Sequence, residues 1–214
     1  MKTILCYGDS NTWGYDASTG GRFPPETRWP KVLQRELGDG YEVIAEGLNG
    51  RTTVWPDPVE GEYKSGKSTL TACLESHHPI DLVVILLGTN DLKHRFGQSA
   101  WDIASGAATL VQIVMSSAFG PDGLGPEVLL IAPPPTVVGD GPFAPMFADA
   151  DEKSRDLGKH YGAFAAELGC AFLDAGRVIV STKLDGIHPD ASEQIKLGQA
   201  VAGEVRRILG QNDG

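Results

Sequence analysis

Two spacings of apolar residues alternate along this chain. Short continuous runs, "TILCY" (3–7), "YEVIAE" (41–46), "DLVVILL" (81–87), "EVLLIA" (127–132) and "CAFLDA" (170–175), have the length of strands. Between them, apolar positions recur at steps of three and four: Ile103, Ala107, Leu110, Val111 and Val114; then Leu157, Tyr161, Phe164, Ala165 and Leu168; then Leu197, Val201, Val205 and Ile208. That spacing places each set on one face of a helix, which predicts these side chains as core. Gly169 stops the second helix, and Asp190 with Glu193 has capping-box spacing ahead of the third. Strands alternating with helices predict an α/β domain on a parallel sheet. "VVILL" is apolar on both faces, which predicts the middle strand of that sheet.

No internal repeat or linker interrupts the pattern, so residues 1–214 are expected to form a single domain. Two stretches fit neither spacing: residues 15–29, "YDASTGGRFPPETRW", and residues 133–147, "PPPTVVGDGPFAPMF". Their Pro, Gly and aromatic residues suit pocket walls, or equally subunit contacts.

Composition narrows the partners. Hydrophobic residues make up 41% of the 214 and charged residues 21%, enough for a real core, and the formal net charge of −10 opposes binding to a phosphate backbone. Nucleic acid is therefore not an expected partner. Cys6, Cys73 and Cys170 are widely separated without a CxxC spacing, so buried apolar roles are expected rather than zinc or redox work. The start "MKTILCYG" lacks a signal-peptide pattern, and no apolar stretch reaches the ~20 residues of a membrane span, which predicts a soluble cytoplasmic protein.

Candidate chemistry lies after the strands, where parallel sheets bind ligands. "GDSNT" with Ser10 follows the first run, "GLNGRTT" with Asn49 and Gly50 the second, and "GTND" with Asn90 the third. If these strands lie in the order 2-1-3, a hydroxyl, a glycine amide and a carboxamide converge. Acyl transfer needs that set: a nucleophile, and donors for the oxyanion that forms. Each residue also has a plain structural use, since Asn-Gly turns chains and Asn caps loops. Of five histidines, His77, His78, His94 and His160 need only solvated or capping roles. His188 stands apart. In "LDGIHPD" (184–190), Asp185 is three residues ahead of it and Gly186 eases the bend that joins the two side chains. Asp9 is expected to hold the loop, Asn49 to line a substrate site, and Trp13 and Trp55 either to line that site or to serve in the core or an interface.

A competing pattern, "GEYKSGKS" (61–68), matches the GxxxxGK[ST] of a P-loop. A P-loop must leave a strand directly, and the preceding "VWPDPVE" carries two prolines that rule out a central strand. Lys64 and Lys67 are accordingly expected to be solvated loop charges.

GDS, NG, GTND and DxxH, in that order on one α/β chain, resemble the SGNH, or GDSL-type, hydrolase family. "GDSNTWG", "RW", "EGLNGRTT", "DLVVILLGTNDLK", "APPP", "DAG" and "DGIH" resemble its arylesterase and acyltransferase (perhydrolase) branch over nearly the whole chain. The resemblance implies a three-layer αβα sandwich, flavodoxin-like, with a five-stranded parallel sheet in the order 2-1-3-4-5. It implies Ser10 as nucleophile, His188 as general base and Asp185 as its orienting partner, with Ser10, Gly50 and Asn90 as the oxyanion hole. It further implies a small-molecule ester substrate, no metal, no cofactor and assembly into homo-oligomers. Carbohydrate O-deacetylation is the rival within the same chemistry. Asn49-Gly50 stands where acyltransferase members carry Ser-Ala, and Asn11 where they carry Leu.

Overall fold

The computed structural model describes residues 1–210 and runs β1 (Lys2–Gly8), α1 (Ser10–Trp13), β2 (Tyr15–Asp16), β3 (Gly21–Arg22), α2 (Trp29–Leu37) and β4 (Tyr41–Gly47). It continues α3 (Gly66–His77), β5 (Leu82–Leu86), α4 (Ala100–Met115), β6 (Glu127–Ala132), α5 (Ala150–Leu168), β7 (Ala171–Asp174) and α6 (Ala191–Leu209). The five apolar runs are the strands of one parallel sheet, ordered β4-β1-β5-β6-β7. Taken without the antiparallel ribbon β2–β3, which occupies part of the unassigned stretch 15–29, that order is 2-1-3-4-5.

Strand alternation divides the core in two. Leu5, Tyr7, Val83, Ile85, Val128 and Leu130 face Leu70 of α3, Ile103 and Leu110 of α4, and Leu157 and Tyr161 of α5. Ile4, Cys6, Leu82, Val84, Leu129 and Ile131 face Trp29 and Leu33 of α2 and Leu197, Val201 and Val205 of α6. β5 is buried at every position because both layers cover it. The predicted helix stripes are thus core, and Gly169 caps α5 in the left-handed conformation, φ 72°. At α6 only half of the expected capping box forms. Asp190 accepts from the Ser192 and Glu193 amides, whereas the Glu193 carboxylate turns to the Val180 amide at 3.0 Å.

Parallel pairing puts the ends of three strands side by side: Gly8 is level with Gly47 of β4 and Leu86 of β5. The turns carrying Ser10, Gly50 and Asn90 therefore leave the sheet together, where strand order reverses about β1.

Candidate active site

The turn after β1 is tight because Gly8 has no side chain: a Cβ there would collide with Thr12 and with the Leu86 carbonyl. Asp9 then caps α1, its Oδ1 accepting from the Asn11 amide at 2.9 Å, and Ser10 opens that helix. This is the loop-holding role expected of Asp9. Burial drives its carboxyl up to about 6, partly offset by the Asn11 amide.

The other two turns are tied to this one by residues the sequence did not single out. Arg51, 4% exposed, donates to the Gly8 carbonyl at 2.8 Å and to the Glu46 carbonyl, with its guanidinium over the Tyr7 ring. Asp91 accepts from the Thr53 amide at 3.0 Å, joining the turn after β4 to the turn after β5. Asn90 Nδ2 donates to the Arg51 carbonyl at 3.1 Å and, more weakly, to Asp9 Oδ2 at 3.4 Å. The Ser10 and Gly50 amides, by contrast, donate to no protein acceptor among the described residues. From α6, Gln194 donates to the Asn11 carbonyl and accepts from the Trp29 amide, both at 2.9 Å, holding the serine turn against both helices of that layer.

His188 arrives from the far end of the chain. Its Nε2 lies 2.8 Å from Ser10 Oγ and its Nδ1 2.6 Å from Asp185 Oδ2. Asp185 Oδ1 also accepts from the Ile187 and His188 amides, at 2.9 and 3.0 Å. Burial opposes its charge, but His188 and these two amides outweigh that and hold the carboxyl below the usual range. An ionised carboxylate only accepts, so Nδ1 carries the proton and Nε2 keeps a lone pair for the Ser10 hydroxyl. All three side chains are at least nine-tenths buried.

A cavity of about 170 Å³ opens onto Ser10. Gly50, Asn90 and His188 border it, and the Tyr15 ring lies against the imidazole, with centroids 4.3 Å apart and planes tilted by 39°. Phe143, Met146, Phe147 and Ile187 contribute apolar lining, and Asn49, Glu60 and Lys93 contribute polar lining. Residues 133–147 thus build a wall of the cavity, one of the two roles open to them. Among the described residues no cluster of three His, Cys, Asp or Glu is placed to hold a metal.

Three expectations are corrected. Trp13 does not line the cavity: it ends α1, its backbone packs on Gly47, and its ring lies under Arg22. The chain turns at Gly14, φ 91°, so Tyr15 is the aromatic residue that reaches the site. Trp55 is also absent from the lining; its segment is drawn toward α3, where Ser65 Oγ donates to the Val54 carbonyl at 2.9 Å. Lys64 is no free solvated charge, because its ammonium donates to the Asn49 carbonyl at 2.5 Å. Lys67 is exposed as expected, although on α3 and not in a loop, and residues 54–60, where a P-loop needs a strand, form turns and an isolated bridge.

A parallel-sheet sandwich with a serine–imidazole–carboxylate chain at its strand ends has the architecture of a serine hydrolase. The chain belongs to the GDSL-like lipase/acylhydrolase family, whose sequence profile matches residues 6–192. It is similar to a carbohydrate acetylesterase from Sinorhizobium meliloti, 40% identical with a TM-score of 0.93 over 97% of this chain and 100% of that one. An aryl esterase from M. smegmatis is 42% identical, with a TM-score of 0.91 over 97% and 99% of the two chains. An acetylxylan esterase from Xylanibacter ruminicola is 25% identical over 95% of this chain. The chain spans 43% of that relative's length. Among the described residues no helix is long and apolar enough to cross a membrane.

Proposed function

We propose that this protein hydrolyses carboxylic esters of small acyl groups through an acyl-serine intermediate. The observation that carries the reading is the continuous chain Ser10 Oγ–His188 Nε2 and His188 Nδ1–Asp185 Oδ2, at 2.8 and 2.6 Å, opening on a cavity of about 170 Å³. Ser10 Oγ attacks the ester carbonyl while His188 Nε2 takes its proton, and Asp185 stabilises the imidazolium that results. The tetrahedral oxyanion is received by the Ser10 and Gly50 amides and Asn90 Nδ2; each donor of this kind is worth roughly 3 kcal/mol in the transition state. His188 then protonates the leaving alcohol. Water then attacks the acyl carbon as His188 takes its proton, and His188 returns that proton to Ser10 Oγ as the acyl–serine bond breaks and the acid leaves.

With p-nitrophenyl acetate, Ser10→Ala and His188→Ala are each expected to lose most of the rate while remaining folded, and an organophosphonate should label the wild type but not Ser10→Ala. Activity retained in both variants would end the reading.

The acetylesterase relatives support acetyl as the acyl group, and the aryl esterase beside them leaves the alcohol open between sugar and aryl. An alcohol or peroxide replacing water at the second step would make the same site an acyltransferase. Homo-oligomers in the cytoplasm complete the proposal, supported by Val137 and Leu184, 50% and 60% exposed on adjoining loops, and by three unbridged cysteines. Sedimentation at micromolar concentration tests the assembly.

A further inference from the structure

The polar wall of the cavity contains a charge cluster that the ester mechanism does not use. Glu60 Oε1 accepts from Lys93 Nζ at 2.5 Å and from Arg95 Nη2 at 2.6 Å. Behind it, Asp57 Oδ2 accepts from the same Arg95 nitrogen at 2.5 Å and lies 3.8 Å from Lys93 Nζ. Asp57 is fully buried and Lys93 is 4% exposed, so this is a fixed frame and not a mobile surface pair. Two carboxylates meet two cations, which leaves neither ammonium nor guanidinium free to receive an anionic substrate. Burial works against the Glu60 carboxylate, but Lys93 and Arg95 outweigh it and keep the group ionised at neutral pH.

One oxygen of the cluster is left over. Glu60 Oε2 accepts from no protein donor among the described residues, on a side chain that is 32% exposed and lines the cavity. It stands over Gly50, where an added Cβ would come within 2.5 Å of it. Lys64, the neighbouring cation, donates to the Asn49 carbonyl at 2.5 Å. The cavity is therefore offered one carboxylate oxygen that no protein donor among the described residues occupies, and a neutral donor that fits beside a scissile ester is an alcohol hydroxyl.

We infer that Glu60 is a specificity-determining residue that accepts a hydrogen bond from a free hydroxyl of the substrate, selecting esters of hydroxylated molecules such as polyols and sugars over plain or anionic ones. The apolar lining from Phe143, Met146, Phe147 and Ile187 takes the hydrocarbon part of the same substrate. This assignment rests on the ester-hydrolase reading above.

The test compares kcat/KM within matched pairs. Glycerol monoacetate against propyl acetate places the hydroxyls on the alcohol; ethyl lactate against ethyl propionate places one on the acyl group. The wild type is expected to favour the hydroxylated partner of at least one pair, which also tells which side of the ester meets Glu60. Glu60→Met, of similar length without an acceptor, should reduce that preference on the order of tenfold. The same change should raise kcat/KM for acetoxyacetate, whose carboxylate Glu60 repels; a merely structural defect would lower both. Glu60→Gln keeps the side-chain shape and should move both quantities in the same directions by less. No preference in the wild type, or an unchanged preference in both variants, overturns the assignment. If hydrolysis survives Ser10→Ala, the ester-hydrolase reading fails instead, so the two failures are distinguishable.

Discussion

In the proposed mechanism His188 takes the Ser10 proton only when its own proton sits on Nδ1, the tautomer that the Asp185 carboxylate favours. Asp185→Asn keeps an oxygen for the Ile187 and His188 amides but can present N–H to Nδ1, which transfers the ring proton to Nε2 and blocks acceptance from Ser10. kcat is expected to fall on the order of 10⁴-fold with the thermal midpoint close to wild type. A loss of less than tenfold would contradict this role. Asp185 and His188 were readable as a candidate pair because Gly186 between them eases the bend that joins a carboxylate and an imidazole three residues apart. Tyr15 and Glu60 were not. An aromatic residue near a turn, or an acid in a charged loop, gains meaning only from the residue it faces across space, here His188 and Gly50.

At the scale of elements, the turn bearing His188 is positioned by the 133–147 loop. Val137 donates to the Gly186 carbonyl at 2.8 Å, Ser181 Oγ donates to the Pro135 carbonyl at 2.9 Å, and Gly186 has φ 77°. A Cβ on Gly186 would strike the Val138 backbone, which no rotamer relieves, so Gly186→Ala is expected to lower both kcat and the thermal midpoint. Unchanged kinetics in that variant would show the turn to be held by other means. The loop is in turn anchored on α5: Asp151 accepts from Thr136 Oγ1, the Val138 amide and the Gly139 amide, at 2.8, 2.8 and 3.0 Å. Asp151→Ala should free the apolar wall and raise KM for p-nitrophenyl acetate several-fold, by more than it lowers kcat. Strands and helices were readable here because their periodicity is local. The loop was readable only as a choice between pocket wall and subunit contact, since its shape depends on α5 and on the 185–188 turn.

For the whole molecule, the buried carboxylates oppose one another in pH. Burial raises Asp9 and Asp91 to about 6 against an ordinary 3.8, so the folded state holds protons that the unfolded state has released. Stability therefore rises as pH falls from about 7 toward 4. Asp57 behaves in reverse. Burial opposes its charge, yet the hydrogen bonds from Arg95 and from the Glu60 and Val59 amides bring it down to about 2, and the stability it contributes is lost as pH falls from about 4 to 2. Net charge adds to the first effect, since −10 at pH 7 shrinks toward a pI near 4.9. The thermal midpoint is expected to peak near pH 5 and to fall steeply below pH 4; a midpoint climbing steadily from pH 4 to 8 would contradict this balance.

By itself the sequence determined the strand and helix succession, the central place of "VVILL", and four residue patterns whose order matches one family. Those properties depend on neighbours a few positions away, and burial on one or two faces leaves its period in the chain. Only the tertiary structure decided which groups meet: the imidazole of residue 188 against the hydroxyl of residue 10, Tyr15 in place of Trp13 beside that imidazole, and the Asp57–Glu60–Lys93–Arg95 frame on the polar side of the cavity. Contacts between distant segments follow from strand pairing and loop packing, which leave no spacing in the sequence from which they could be read.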